Sequence, residues 1–355
     1  MKHGTVVKSE LLFGGFNWPS AARLPDGRIM AVCSGFRLAH VCPFGKVVAC
    51  YSSDEGLTWS LPSVVLDTPL DDRDAGIAVS GERVVVTSFN NSRAFQRRIA
   101  GRDHTPAERA LIGAYCDMVS DEEEEAYLGS TFVVSKDGGV TFGKVSRVPV
   151  SSPHGPCVLG DGSFYYLGKA FCMEDEHGCF AIDRLQSISS KDGEQWTPPR
   201  EIPMPAIDGV LFCEPHAVCL GGKSILAGLR AQDRKGMFTI WTAKSDDGGQ
   251  SFGEWKPTGF DGSPPHFMRH SCGAVVITYG RRKAPFGQRA RISYDGGESW
   301  GEEIVLRGDG LNWDLGYPAT CECGDGSLLT VYYQRESGAR HTGIYYTKWQ
   351  LPQRQ

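Results

Sequence analysis

Ser293-Tyr294-Asp295-Gly296-Gly297-Glu298-Ser299-Trp300 reads as a β-turn that ties itself together. The aspartate accepts from backbone amides, a glycine takes positive φ, the hydroxyl closes the turn, and the tryptophan anchors it in a core. The same form, S-x-D-x-G-x-[ST]-[WF], recurs four more times. The copies are Ser53–Trp59 (SDEGLTW), Ser135–Phe142 (SKDGGVTF), Ser190–Trp196 (SKDGEQW, one residue shorter) and Ser245–Phe252 (SDDGGQSF). A strand-like run leads into each: VVACYSS, STFVVS, LQSISS, FTIWTAKS and ARISYD. One copy carries little weight, whereas five point to a repeat architecture.

A second repeat lies between these boxes. A short strand, a glycine turn and another apolar strand recur around Gly27, Gly81, Gly162, Gly222, Gly273 and Gly326, at steps of 54, 81, 60, 51 and 53 residues. Units of about 50 residues with about four short strands each fit an all-β, six-bladed β-propeller of four-stranded antiparallel blades. The last unit runs out after GIYYTKWQL, one strand short and without a box. The N-terminal segment TVVKSELLF supplies that strand and closes the ring, which removes the free edges. The long step marks an insertion over about 91–128, and Thr105-Pro106 reads as an N-cap followed by proline at the first helical position. The run Ser120-DEEEE is either a second helix start or a solvated acidic face, and the latter is the expectation. The whole of 1–355 is then one propeller domain.

Composition agrees and excludes other classes. The 44 glycines in 355 residues exceed the usual share, with no collagen period, which suits many tight turns. Hydrophobic residues make up 41%, enough for a core, and no apolar run is long enough to span a membrane. A net charge of −5 without a basic tract gives no footprint for nucleic acid. The twelve cysteines are too sparse for a disulfide scaffold and read mostly as buried free thiols. The N-terminus MKHGTVVKSELLFGG lacks the apolar segment of a secretory signal, so the expected location is cytoplasmic.

In a propeller the innermost strand of each blade starts at the central funnel. The residues just before the six glycine-turn segments are therefore expected to converge: Asn17, Trp18, Asp72, Arg73, Asp74, His154, Glu214, His216, His266, Asp314 and Tyr317. This is a dense set of titratable groups for positions where inert strand caps would serve, and it marks a functional funnel. Trp313 and Phe212 flank it, as ligand-stacking platforms or as core.

The five boxes and six units resemble the sialidase (neuraminidase) superfamily over nearly the whole chain. The boxes alone imply only the fold. More specific is the segment from Glu214 to Arg230, which is similar to the sialidase segment where a strand-initial Glu is followed one hairpin later by a substrate-binding Arg. Gly316-Tyr317-Pro318 resembles the segment that carries the nucleophilic tyrosine, and Arg281-Arg282 the site of another carboxylate-binding Arg. The resemblance implies Tyr317 as nucleophile, Glu214 as its base, and Arg230 and Arg282 on a substrate carboxylate, with no cofactor. Two positions depart from the pattern. Asn17 stands where the family has its first Arg, and residues 38–50 hold no Asp or Glu where it has its acid/base Asp. The nearest substitutes are Arg73, with Arg37 second, for the cation, and Asp72 or Asp74 for the acid. The other reading of this run is a blade-entry turn held by internal Asp–Arg pairs.

The expected activity is an exo-acting, retaining glycoside hydrolase for a terminal acidic sugar, sialic acid first, with His154, His216, Asn17, Trp18, Asp74 and Asp314 lining the substrate site. A propeller glycosidase or lyase with a three-histidine, metal-capable site at His154, His216 and His266 is the alternative. A non-catalytic glycan- or protein-binding propeller is the third reading.

Overall fold

The computed structural model describes residues 1–170 and 184–352. Six antiparallel sheets follow one another along the chain. Blade I comprises Gly15–Arg23, Ile29–Arg37, Lys46–Ser52 and Ser63–Leu66. Blade II comprises Arg73–Ser80, Arg83–Phe89, Ser130–Ser135 and Ser146–Val148. In blade III the innermost strand is split into Val150–Ser151 and Cys157–Val158, followed by Phe164–Ala170, Leu185–Ser190 and Arg200–Ile202. Blade IV is built from Val210–Gly221, Ser224–Asp233, Phe238–Ser245 and Lys256–Pro257, and blade V from His266–Arg269, Val275–Arg281, Gly287–Ser293 and Ile304–Arg307. Blade VI takes Gly316–Glu322, Leu328–Gln334 and Gly343–Trp349 from the C-terminal end. Its outer strand is Lys2–Val7, antiparallel to Gly343–Trp349, so the ring closes as the sequence predicts. The closing strand ends at Val7, earlier than the TVVKSELLF run suggests.

The glycine turns and the boxes explain how each blade folds locally. Gly27, Gly81, Gly162, Gly222, Gly273 and Gly326 all have positive φ, where a side chain would be strained. In the first box Asp54 Oδ1 accepts from Leu57 N (3.0 Å) and Thr58 N (2.9 Å), and Oδ2 accepts the Thr58 hydroxyl (2.6 Å). The serine that donates to this aspartate is Ser52 (2.8 Å), one residue before the Ser53 of the sequence motif. These bonds hold the Asp54 carboxyl down at about 2, the Thr58 hydroxyl contributing most. In the shorter third box Asp192 keeps the two amide bonds, from Glu194 N and Gln195 N, but Gln195 replaces the hydroxyl. The box aromatics Trp59, Phe142, Trp196, Phe252 and Trp300 each pack against a core cluster.

The insertion forms three helices, α1 (Arg93–Asp103), α2 (Pro106–Met118) and α3 (Asp121–Tyr127). Thr105 caps α2 with Pro106 at its start, as expected. The acidic run corrects the sequence reading. Ser120 and Glu123 form a capping box, so the run is a helix start whose carboxylates meet the N-terminal dipole. Six of the ten cysteines among the described residues are buried, in line with the expectation, and Cys272 is exposed. No described helix is long and apolar enough to cross a membrane.

Candidate active site

Four blades begin with the same distortion. The inner ladder slips between Asn17 and Ser20, Arg73 and Gly76, Cys213 and His216, and Gly316 and Ala319. The residue just inside each slip has positive φ: Trp18 (51°), Asp74 (46°), Glu214 (47°) and Tyr317 (49°). Such backbone costs about 1 to 3 kcal/mol per residue and persists where surrounding structure enforces it. Each bulge turns a side chain out of the alternation of its strand and into the funnel. The repeat thus brings an indole, two carboxyls and a phenol together from four separate blades.

Tyr317 and Glu214 meet directly. The Tyr317 hydroxyl donates to Glu214 Oε1 at 2.5 Å, and Arg230 Nη1 donates to Glu214 Oε2 at 2.6 Å. Arg230 and Glu214 face each other because residues 213 and 230 are register partners in blade IV. The Arg282 guanidinium stands 5.5 Å from the centre of the Tyr317 ring and donates to Trp313 O (3.1 Å). Burial pushes the Glu214 carboxyl up, but Arg230, the Tyr317 hydroxyl and Arg282 outweigh it, so the group stays below its usual range and ionised. Burial, then Glu214 and Asp74, push the Tyr317 phenol well above its usual value. At rest this pair is a neutral phenol donating to a carboxylate.

Asp74 is buried, its Oδ1 has no hydrogen-bond partner, and burial raises it to about 7 against the pull of Arg73. The other expected acid is placed differently. Asp72 accepts from Thr68 N (2.7 Å) and the Thr68 hydroxyl (2.8 Å), so it closes a turn beneath the blade entry. Arg73 lies over the Trp18 ring at 4.1 Å and donates to His40 O (2.9 Å) and Asp71 (3.3 Å), with its buried Nε unpaired. Arg37 is wholly buried. Its Nη1 pairs with Asp71 (2.7 Å) and donates to the Ser34 hydroxyl, while Nε and Nη2 donate to Ala39 O and His40 O. The second-choice cation is therefore spent on the scaffold. Asp71, which sequence reasoning passed over, is the buried carboxylate that clamps both arginines. Arg281, the neighbour of Arg282, turns outward to Asp261 and Glu303.

No protein-family model and no curated protein matches this sequence. Solved structures do match. A protein of unknown function from Dyadobacter fermentans superposes with a TM-score of 0.76 at 20% identity, over 99% of this chain and 98% of that one. The NanB sialidase of Streptococcus pneumoniae gives 0.66 at 11% identity, over 98% of this chain and 70% of that one. The intramolecular trans-sialidase of Ruminococcus gnavus, in complex with oseltamivir carboxylate, gives 0.62 at 15% identity, over 98% and 96%. The chain has the sialidase propeller fold.

In this sialidase-like propeller the remaining expected residues fall into two groups. Asn17 is buried, and its side-chain oxygen accepts the Thr342 hydroxyl. Asp314 accepts the Tyr333 hydroxyl (2.8 Å) and lies 3.1 Å from His40 Nδ1. Phe212 is core, whereas Trp313 is 58% exposed beside the funnel. His154, His216 and His266 pack against one another on the axis, with ring centroids 4.6 to 5.6 Å apart. Their Nδ1 atoms are committed to the Ser20 hydroxyl, Phe267 N and Thr320 N. Among the described residues, the one trio of His, Cys, Asp or Glu with ligand atoms within 4.8 Å of one another is Glu55, Cys323 and Asp325, in the box of blade I and a turn of blade VI, and it includes none of these histidines. The three rings thus tie blade III to I, IV to V and V to VI at the hub, and their arrangement lends no geometric support to the metal alternative.

Proposed function

We propose that this protein is an exo-acting, retaining glycosidase that removes a terminal acidic sugar, sialic acid first among the substrates. The observation that carries the reading is the 2.5 Å hydrogen bond from Tyr317 to an ionised Glu214, flanked by Arg230 and Arg282. A sugar with a carboxylate on its anomeric carbon repels an Asp or Glu nucleophile. A neutral phenol that loses its proton only as it attacks avoids that repulsion. Arg230 and Arg282 offer planar fork donors for the substrate carboxylate. Tyr317 Oη bonds to the anomeric carbon, its proton passes to Glu214 Oε1, and the bond to the leaving oxygen breaks. Water then displaces Tyr317, whose oxygen takes its proton back from Glu214, so the net reaction is hydrolysis with retained configuration. Asp74, neutral up to about pH 7, offers a hydrogen bond to the bound sugar from the floor of the site.

Aryl glycosides of sialic, ketodeoxy and uronic acids with a fluorescent leaving group test this, since Asn17 leaves two guanidiniums at the tyrosine rather than three. Turnover of one of them, abolished in Tyr317→Phe and Glu214→Gln, is the expected result. No turnover of any, with neither substitution changing the binding of the free sugar acids, refutes it.

A further inference from the structure

A second titratable pair stands beside Tyr317 and Glu214. His40 follows the second strand of blade I, and Asp314 lies three residues before Tyr317. Asp314 Oδ1 sits 3.1 Å from His40 Nδ1 and also accepts the Tyr333 hydroxyl, and the Tyr333 ring packs against Tyr317 with centroids 6.0 Å apart. Arg37 Nη2 (3.0 Å) and Arg73 Nη1 (2.9 Å) both grip the His40 carbonyl, which fixes the loop. The ring stands edge-on to Trp18 with centroids 5.0 Å apart. A carboxylate at Nδ1 keeps the proton on that nitrogen and leaves Nε2 as the exchanging one.

Position separates this pair from Asp74. Asp74 shares its bulge position with Glu214 and Tyr317 and is 6% exposed, so it belongs to the floor. The His40 side chain is 41% exposed. His40 and Asp314 also line a cavity of about 330 Å³, with Asn17, Asn312, Arg335 and Arg340 on its other walls. The pair is therefore a partition between the tyrosine and a polar cavity at the small end of ligand-pocket volumes. A leaving group departs across such a partition, toward solvent, and not through the floor.

We propose that His40, oriented by Asp314, is the acid/base of the glycosidase reaction, and that the adjoining cavity receives the leaving alcohol or sugar. The proposal rests on the Tyr317 reading above. As the glycosidic bond breaks, its electron pair leaves with the aglycone oxygen, and the imidazolium gives that oxygen its Nε2 proton. The neutral ring then takes a proton from the water that displaces Tyr317, and the imidazolium is restored. Burial lowers the His40 pKa, Asp314 raises it, and Arg73 and Arg37 lower it, for a net value below the ordinary one. The acid form is thus available on the acidic side of neutrality.

The test compares two glycosides of one acidic sugar, an aryl glycoside whose leaving oxygen needs no proton and a sugar-linked one whose oxygen does. His40→Asn is expected to lower kcat/KM about 100-fold or more on the sugar-linked substrate and less than about ten-fold on the aryl one. Its kcat and KM on the aryl glycoside fall together as the covalent intermediate accumulates, and azide, which attacks without a base, restores kcat. Asp314→Asn shifts the alkaline limb of the sugar-linked pH profile, which a merely structural loss leaves in place. Equal losses on both substrates, or the leaving-group split appearing in Asp74→Asn instead, overturn the role of His40. Wild-type protein that hydrolyses neither glycoside overturns the tyrosine reading, and the His40 assignment with it.

Discussion

Glu214→Gln separates the electrostatics of the site from its shape, because glutamine keeps the size and one carbonyl oxygen for the Tyr317 hydroxyl. What it removes is the charge opposite Arg230, a pair at 2.6 Å whose side chains are 20% and 11% exposed. Breaking a buried pair by neutralising one partner costs about 3 kcal/mol, since the other charge stays desolvated. Spread over the unfolding entropy expected for 355 residues, that is a fall in melting temperature of about 4 °C. The sign with pH follows from the folded state. Burial opposes ionisation of Glu214 but its cationic neighbours win, so its pKa lies below the usual carboxyl value. Its contribution is therefore fully present above about pH 4.5 and is lost as pH falls through the lower folded value. Thermal unfolding of both proteins across pH 4 to 8 reads this out. A gap of a few degrees at neutral pH that narrows below pH 4.5 is expected. A gap that ignores pH, or a variant more stable than the wild type, refutes the claim that Glu214 is ionised and paired at rest.

Other outcomes follow from the same geometry. Tyr317→Phe lowers kcat by about a thousand-fold or more while the free sugar acid still binds within a few-fold, as titration calorimetry reads, because the arginines are untouched. Gly76→Ala puts a Cβ 2.3 Å from Gly155 N and 2.5 Å from Gly155 Cα, where blades II and III touch, so the soluble folded yield collapses. Ser120→Ala removes the α3 capping box at a cost of about 1 kcal/mol, seen as faster proteolysis within 91–128 with unfolding elsewhere unchanged. His216, buried and pushed down to about 3, costs stability only below the pKa it has when unfolded. His216→Asn, which keeps an acceptor for Phe267 N, therefore flattens the stability loss between pH 6 and 4.5 by about 1.4 kcal/mol per pH unit, as denaturant titrations at each pH check.

The propeller was legible because its signals are local. Each box is a turn whose bonds span four residues, and each glycine turn carries its own φ requirement, so repetition alone exposed the blades. Tyr317 and Glu214 were legible through the repeat, which places equivalent residues at one funnel, and Arg230 and Arg282 through the resemblance of their segments to sialidases. The choice between Asp72 and Asp74 was not, because it depends on where the bulge falls. One residue past Arg73 a side chain enters the site, while one residue before it the carboxyl closes onto Thr68. Arg37 and Asp71 were hidden for a related reason. Their pairing joins the second strand of blade I to the entry of blade II, and no periodicity announces it. His40 draws its chemistry from Asp314, 274 residues away, and a histidine alone in a loop carries no such sign.

The central claim is a covalent bond from Tyr317 to the sugar. An acidic sugar carrying fluorine at the anomeric carbon and at its neighbour departs readily from its fluoride and then resists hydrolysis, so it traps that bond. Incubation with this probe followed by peptide mass spectrometry is predicted to place one sugar on Tyr317, and to show none in Tyr317→Phe. A sugar attached to Asp74, Glu214 or any other side chain, or fluoride release without any adduct, contradicts the account.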